Sequence, residues 1–326
     1  MTTPLTESLP TPMTTNVTVQ APPALFELNR RAHPVRSPWG DVWQQFRRHR
    51  LAMAGLIVLG LIVLSTVIGP LLYTTPYNKV DFAVSSQGPS WTYPFGTNDL
   101  GQDLLARILW GGRVSVAVSL FSMLVAIFVG TLIGALAGFF GGLIDASLMR
   151  LTDVFLSLPQ LPLLLLIIYL FRTPVTRALG PVIGIFVLVV LIIGGLNWMS
   201  VARLVRASFL TLREAEFIKA AHAVGLPQRR IIWRHMLPNT LGPVIVAATL
   251  AVGSAIITES SLSFLGLGFP PDTPTWGRML FEAQNFIEFT PSMALFPGLF
   301  IFLTVLSINY MGDGLRDAFD PQLHRR

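Results

Sequence analysis

The sequence contains no cysteine, which excludes disulfides, thiolate metal sites and cysteine nucleophiles. Charge is scarce as well: 12% of the 326 residues are charged, against about 25% in soluble domains. Lysine occurs only twice, Lys79 followed by Val80 and Lys219 followed by Ala220. A loop that cradles phosphates needs a Gly-rich stretch ending in Lys and then Ser or Thr, and neither lysine completes one. The chain is therefore not expected to hydrolyse nucleotide and is read as no enzyme. The histidines, His33, His49, His222, His235 and His324, form no HExxH and no His/Asp cluster of metal-binding spacing. Neither a metal nor a cofactor is expected on this chain.

Apolar residues are abundant, 52% of the chain, with a mean hydropathy of +0.62. One soluble core could not hide that much apolar surface, so membrane lipid must be its solvent. The length suits one membrane domain plus a tail. Residues 1–38, rich in Thr and Pro and without apolar period, read as a disordered tail. Over 39–50, Trp39, Trp43 and Phe46 alternate with Gln44, Arg47, Arg48 and Arg50. That pattern fits a short amphipathic helix at the interface, or a plain basic anchor flanking a span. A hydrocarbon layer about 30 Å thick takes about 20 apolar helical residues. Six segments qualify, 51–73, 114–140, 155–171, 182–200, 241–262 and 294–311, within an all-α membrane domain over 51–320. Pro159 and Pro162 predict a kink or irregular start in the third.

Orientation follows from Lys and Arg. With the N-terminus in the cytoplasm, 17 of the 23 fall inside and 6 outside, namely Lys79, Arg107, Arg113, Arg172, Arg177 and Arg278. Both termini are thus expected to be cytoplasmic. The basic excess is a topology signal, which removes the case for a nucleic-acid partner. Two outer segments, 74–113 and 264–291, are too long for simple turns and could present a docking surface.

Gly130, Gly134 and Gly138 recur every four residues in the second span, a smooth stripe against which another helix can pack closely. Ionisable residues inside spans are scarce. Glu259 lies well inside one, towards its outer end, and Asn197, Thr258 and Asn309 are the further polar candidates. Two readings of Glu259 stand side by side: a marker of the translocation path, or a structural carboxylate hydrogen-bonded to backbone or a facing helix. A stand-alone channel or proton-coupled carrier would rest on such a residue.

The inner segment between the fourth and fifth spans is the most informative. From Thr211 to Gly225 it is helix-forming, with Leu212, Phe217, Ala220, Ala221 and Val224 able to share a face. Gly225 suits a left-handed C-terminal cap, Pro227 the opening of a second short helix, and Pro238 the start of the next span. Two short helices meeting at a glycine make a rigid knob, on which surface alanines permit close approach by another protein.

Ala220-Ala221-x3-Gly225 followed by Leu237-Pro238 resembles the "EAA" loop of ABC-importer permeases. Lys219 stands where that motif has Glu, and His235 where it has Ile; Glu216 could supply the acidic contact instead. Three further stretches narrow the resemblance to the C-type permease of the peptide/nickel branch. They are Pro94–Asp103, Glu259–Gly268 with Pro270, Pro271, Trp276 and Gly277, and Gly312–Pro321. Each also has a local reading: Asp99 and Asp103 as helix caps with Asp103–Arg107 an i,i+4 pair, the Trp276 segment as an interfacial anchor, and Asp313–Asp320 as a charged tail.

The resemblance implies a type I ABC importer permease fold of six transmembrane helices, in a multi-pass subunit of the inner membrane. Its cytoplasmic two-helix coupling loop over 203–238 would engage partner ATPases through Glu216, Lys219, Ala220, Ala221, Gly225, Leu237 and Pro238. Implied partners are a homologous second permease, two ATPase subunits carrying ATP and Mg, and an extracytoplasmic substrate-binding protein touching Asp99, Asp103 and Trp276. The implied cargo is peptide, with nickel or another small solute of the branch as the alternative. Asn197, Glu259 and Asn309 remain path or structural residues.

Overall fold

The computed structural model describes residues 38–319. The tail expected over 1–38 falls outside them but for Pro38, as does the end of the last motif, Asp320 and Pro321. The described residues form helices α1 (Pro38–Arg48), α2 (Arg50–Leu72), α3 (Leu104–Phe140), α4 (Gly142–Ser157), α5 (Gln160–Leu179) and α6 (Pro181–Gly195). There follow α7 (Trp198–Arg213), α8 (Glu216–Ala223), the short α9 (Gln228–Ile231), a π turn (Ile232–Met236), α10 (Leu237–Phe264), α11 (Trp276–Ala283) and α12 (Ser292–Phe319). Among the described residues six helical stretches are long and apolar enough to cross a membrane: α2, α3, α5, α6–α7, α9–α10 and α12. An even number of crossings brings Arg50 and Phe319 to one face, which also carries the α7–α9 loop. It is called the loop face below.

Several boundaries differ from the sequence reading, each for a local reason. The second span starts at Leu104, ten residues before Val114, because Asp103 caps it: Oδ1 accepts from the Ala106 N–H at 3.1 Å. The stretch at 155–171 divides instead at Leu158–Pro159, where α4 ends and α5 begins. Pro159 has no N–H for a helix interior, and its ring disfavours helical backbone just before it. The fourth span breaks at Leu196–Asn197 and runs on as α7 to Arg213, well into what the sequence suggested was loop. The chain does not break again at Pro238. Pro238 has no N–H to offer the helix behind it, and the π turn just before it carries the helix through without a stop.

Apolar burial does little to bring helices together in lipid, where tails are as apolar as leucine; close packing does more. The Gly130–Gly134–Gly138 stripe shows this, and its partner is α7. A Cβ on Gly130 would meet the Trp198 carbonyl, one on Gly134 the Ala202 carbonyl, and one on Gly138 the Phe209 side chain. The backbones of α3 and α7 therefore touch over most of α7. A first core gathers Val118, Leu164, Ile168 and Ile193 between α3, α5 and α6. A second, with Ile62, Ile108, Trp276 and Met293, joins α2, α3, α11 and α12. A third lies beneath the loop and is described with it.

Candidate functional site

The loop is built outward from α7. That helix ends at Arg213, and the chain turns at Glu214–Ala215 before α8 begins. The turn rotates α8 relative to α7, so the apolar face read as continuous from Leu212 to Val224 is divided. Ile218 and Ala221 point inward, onto Phe139, Phe209, Ile231 and Met236. Phe217, Ala220 and Val224 point out, Val224 being 81% exposed. Gly225 closes α8 with φ +79°, a left-handed backbone that side chains disfavour. Its N–H donates to the His222 carbonyl at 3.0 Å and that of Leu226 to the Ala221 carbonyl at 3.2 Å, which satisfies the carbonyls of the last turn.

Glu216, Lys219, Ala220 and Gly225 thus share an exposed tip, with Ala221 beneath it. Lys219 pairs with Glu214 at 3.1 Å. Leu237 packs against the cluster under the tip, whereas Pro238 is exposed at the start of α10. Ile218, which anchors the tip and is fully buried, was missed in the sequence. Its place on the apolar period of α8 was the available signal.

Two ion pairs tie α7 to α4, a helix outside the six spans. Arg203 meets Asp153 at 2.5 Å. Arg206 holds both carboxylate oxygens of Asp145. That hydrogen bonding, with the nearby charges of Arg206 and Arg213, keeps the Asp145 carboxyl below its ordinary range despite partial burial. The end of α12 is helical as well, not a loose charged tail: Ala318 is buried against Phe46 and Ala52, and Asp317 lies 3.8 Å from His49.

On the opposite face, Asp103 and Arg107 do not meet as an i,i+4 pair but turn to different partners. Asp103 caps α3 and accepts from the Tyr73 hydroxyl at 2.5 Å. Arg107, 2% exposed, donates to Gln102 at 2.5 Å and to Glu282 of α11 at 2.8 Å. Arg278 donates to the same carboxylate at 3.1 Å, so one partly buried acid joins the start of α3 to α11. Trp276 is fully buried and its Nε1–H donates to the Ile108 carbonyl at 3.1 Å. Of the residues expected at this surface, Asp99 is partly exposed while Asp103 and Trp276 shape it from below.

Glu259 is fully buried. Its oxygens accept from Ser263 at 2.8 Å and Ser115 at 3.2 Å, and Ser115 Oγ in turn accepts from the Trp276 backbone N–H at 3.3 Å. The carboxylate therefore links α10, α3 and the start of α11. Asn197 sits at the α6–α7 break and donates to the Ile193 carbonyl at 2.8 Å. Asn309 is exposed halfway along α12. Asn197, Glu259 and Asn309 are thus in separate places.

Comparison with known proteins matches residues 130–325 to the family of binding-protein-dependent transport system inner membrane components. Residues 37–89 match the N-terminal TM domain of oligopeptide transport permease C. The chain is 40% identical over 287 residues to the dipeptide transport system permease protein DppC of Alkalihalophilus pseudofirmus, covering 88% of this chain and 91% of that one. It is 38% identical over 294 residues to the glutathione transport system permease protein GsiD of Pectobacterium atrosepticum, covering 90% and 94%. With the oligopeptide transport system permease protein OppC of Haemophilus influenzae it shares 37% over 289 residues, covering 88% and 89%. Among solved structures, the MetNI methionine ABC transporter in an inward-facing conformation is similar in fold, with a TM-score of 0.51 at 19% identity, covering 64% of this chain and 95% of that one. The all-helical, six-span architecture is that of an ABC importer permease. The chain belongs to the family of binding-protein-dependent transport system inner membrane components, and is a membrane-spanning permease subunit.

Proposed function

We propose that this subunit forms half of a translocation path for peptides and links it to ATPases carried on other chains. A homologous permease supplies the other half, two ATPase subunits bind ATP and Mg at the loop face, and a substrate-binding protein docks at the opposite face. The loop face and both termini are cytoplasmic, in keeping with the excess of arginine there. Peptide is the favoured cargo because similar permeases are named for dipeptide, oligopeptide and glutathione transport.

One observation carries the linkage. The tip of α8 shows Phe217, Ala220 and Val224 outward while Ile218 and Ala221 fix it to a buried cluster. An apolar knob held so firmly passes a push into α7 rather than absorbing it. Closure of the ATPase pair drags the knob, and the spans rock between two packed arrangements. On this reading Glu259 is a structural carboxylate, and Asp103 and Trp276 position the docking face.

The test is copurification of ATPase activity with the tagged chain from its native membrane, together with dipeptide uptake by the reconstituted complex. Wild type brings down an ATPase and a second permease. Gly225→Arg, and Val224→Asp, which leaves the backbone of the cap alone, release the ATPase and keep the permease pair. A chain that copurifies with no ATPase yet moves solute alone in liposomes overturns the proposal.

A further inference from the structure

Two interruptions of the helices face one cavity. α4 gives way to α5 at Leu158–Pro159, and α6 to α7 at Leu196–Asn197. Between them lies a space of about 120 Å³ whose polar lining is Gln160, Asn197 and Ser200 and whose walls include Phe155, Leu163 and Leu196. Neither the motifs of the loop nor those of the opposite face include Gln160 or Ser200.

The depth of this cavity gives it meaning. Gln160 is twelve residues from Arg172 along α5, about 18 Å at the rise of an α-helix. Asn197 is six residues from Arg203, about 9 Å. Together these distances nearly equal the thickness of a hydrocarbon layer, about 30 Å. With the two arginines taken as its edges, the cavity lies inside it. At that depth polar side chains and interrupted helices are tolerated where they are buried in protein or line a wet path, not against lipid.

The chemistry of the lining is neutral. The Asn197 amide group donates to the Ile193 carbonyl, while its oxygen takes no hydrogen bond from the described residues. Gln160 and Ser200 are exposed and make no side-chain hydrogen bond among the described residues. The nearby charges, Asp153 and Arg203, are paired with each other. Amide and hydroxyl groups with apolar walls match what every peptide has in common, its backbone C=O and N–H, and none of what distinguishes one side chain from another.

We propose that this cavity is a binding subsite for peptide backbone groups in the translocation path, formed by Gln160, Asn197 and Ser200 at the two helix breaks. The ligand class rests on the reading of the subunit as a peptide importer. Such a site holds peptides of differing sequence weakly and alike, leaving selection to the binding protein. Because the site joins α5 to the α6–α7 break, motion of α7 reshapes it.

The absence of cysteine makes a direct test available. Gln160→Cys, Asn197→Cys and Ser200→Cys each introduce the chain's single thiol. The complete transporter is reconstituted in liposomes and exposed to a water-soluble maleimide during ATP turnover, with and without alanyl-alanine and the binding protein. Labelling of this chain is read by mass. Leu61→Cys, in the middle of α2 and 61% exposed, reports a thiol facing lipid. The expected result is labelling at the three cavity positions and not at 61, slowed several-fold by the dipeptide. Absence of labelling at all three in vesicles that import the dipeptide means the second permease seals the site, and overturns the proposal. Labelling that the dipeptide leaves unchanged makes the cavity wet but not a subsite, and overturns it as well. Uptake is measured on the same vesicles: wild type that imports no dipeptide refutes the peptide reading and, with it, the ligand assigned here. Gln160 and Ser200 are exposed, so their variants keep the test valid even where Asn197→Cys weakens the α6–α7 break.

Discussion

Arg206 grips Asp145 with two nitrogens, Nε on one oxygen and Nη2 on the other at 2.6 Å. The pair fixes α7 to α4 at the level where the loop begins, and it gives the protein an acid-sensitive contact. A folded carboxyl held below its unfolded value stabilises fully above the unfolded pKa, about 4. That contribution is lost as pH falls through the lower folded value. The thermal midpoint of the detergent-solubilised protein should therefore drop below about pH 4 more in wild type than in Asp145→Asn. At neutral pH Asp145→Asn should cost about 1–2 kcal/mol. Equal acid sensitivity in the two proteins would remove the pair from the account.

Close contact between α3 and α7 makes Gly134 intolerant of bulk. A side chain there meets the Ala202 carbonyl and the Val205 side chain. Gly134→Val should lower stability by about 1–3 kcal/mol, the usual cost of overpacking. Gly60, around which there is open space, supplies the control: Gly60→Ala should leave the midpoint unchanged or slightly raised. Thermal unfolding followed by tryptophan fluorescence decides between them.

Glu259 is the place where two readings of the sequence can be separated. Removing the carboxylate in Glu259→Ala empties a fully buried position and strands the hydroxyls of Ser115 and Ser263. A loss of about 2–4 kcal/mol is expected. Glu259→Gln keeps the shape and an acceptor, so it should fold and retain most uptake. Normal stability with abolished uptake in Glu259→Gln would instead assign the residue to the path.

Trp276 should hold the opposite face in place. Trp276→Phe gives up the hydrogen bond to Ile108 and leaves a gap among α3, α11 and α12. The expected cost is about 1–3 kcal/mol, with faster proteolysis between residues 264 and 276. Unchanged protease resistance would show that the segment is held by Arg107, Arg278 and Glu282 without it.

The six-span, all-helical character and the family were legible because lipid imposes long apolar runs and because the motifs lie in a fixed order. The glycine stripe was legible as a contact, though only the structure names α7 as its partner. What could not be read depends on distant pairing. Arg107 was placed beside Asp103 by spacing, yet its partner is Glu282, 175 residues away. The Asp145–Arg206 pair spans 61 residues and has no local signature. The rotation at Glu214–Ala215, which turns Ile218 inward and Val224 outward, lies in a single turn that no apolar period records.

The unbroken length of α3 sets the gearing of the molecule. Its 37 residues make a rod about 55 Å long, bound to α7 near one end and to the Arg107–Glu282 network near the other. A rod pivoting at mid-membrane moves its ends in opposite directions, by about 5 Å each for a 10° tilt of this length. If the loop couples as proposed above, a displacement delivered there would reappear inverted on the far side. On that reading, opening at one mouth and closing at the other would be two ends of a single stroke, with no separate signal needed between them.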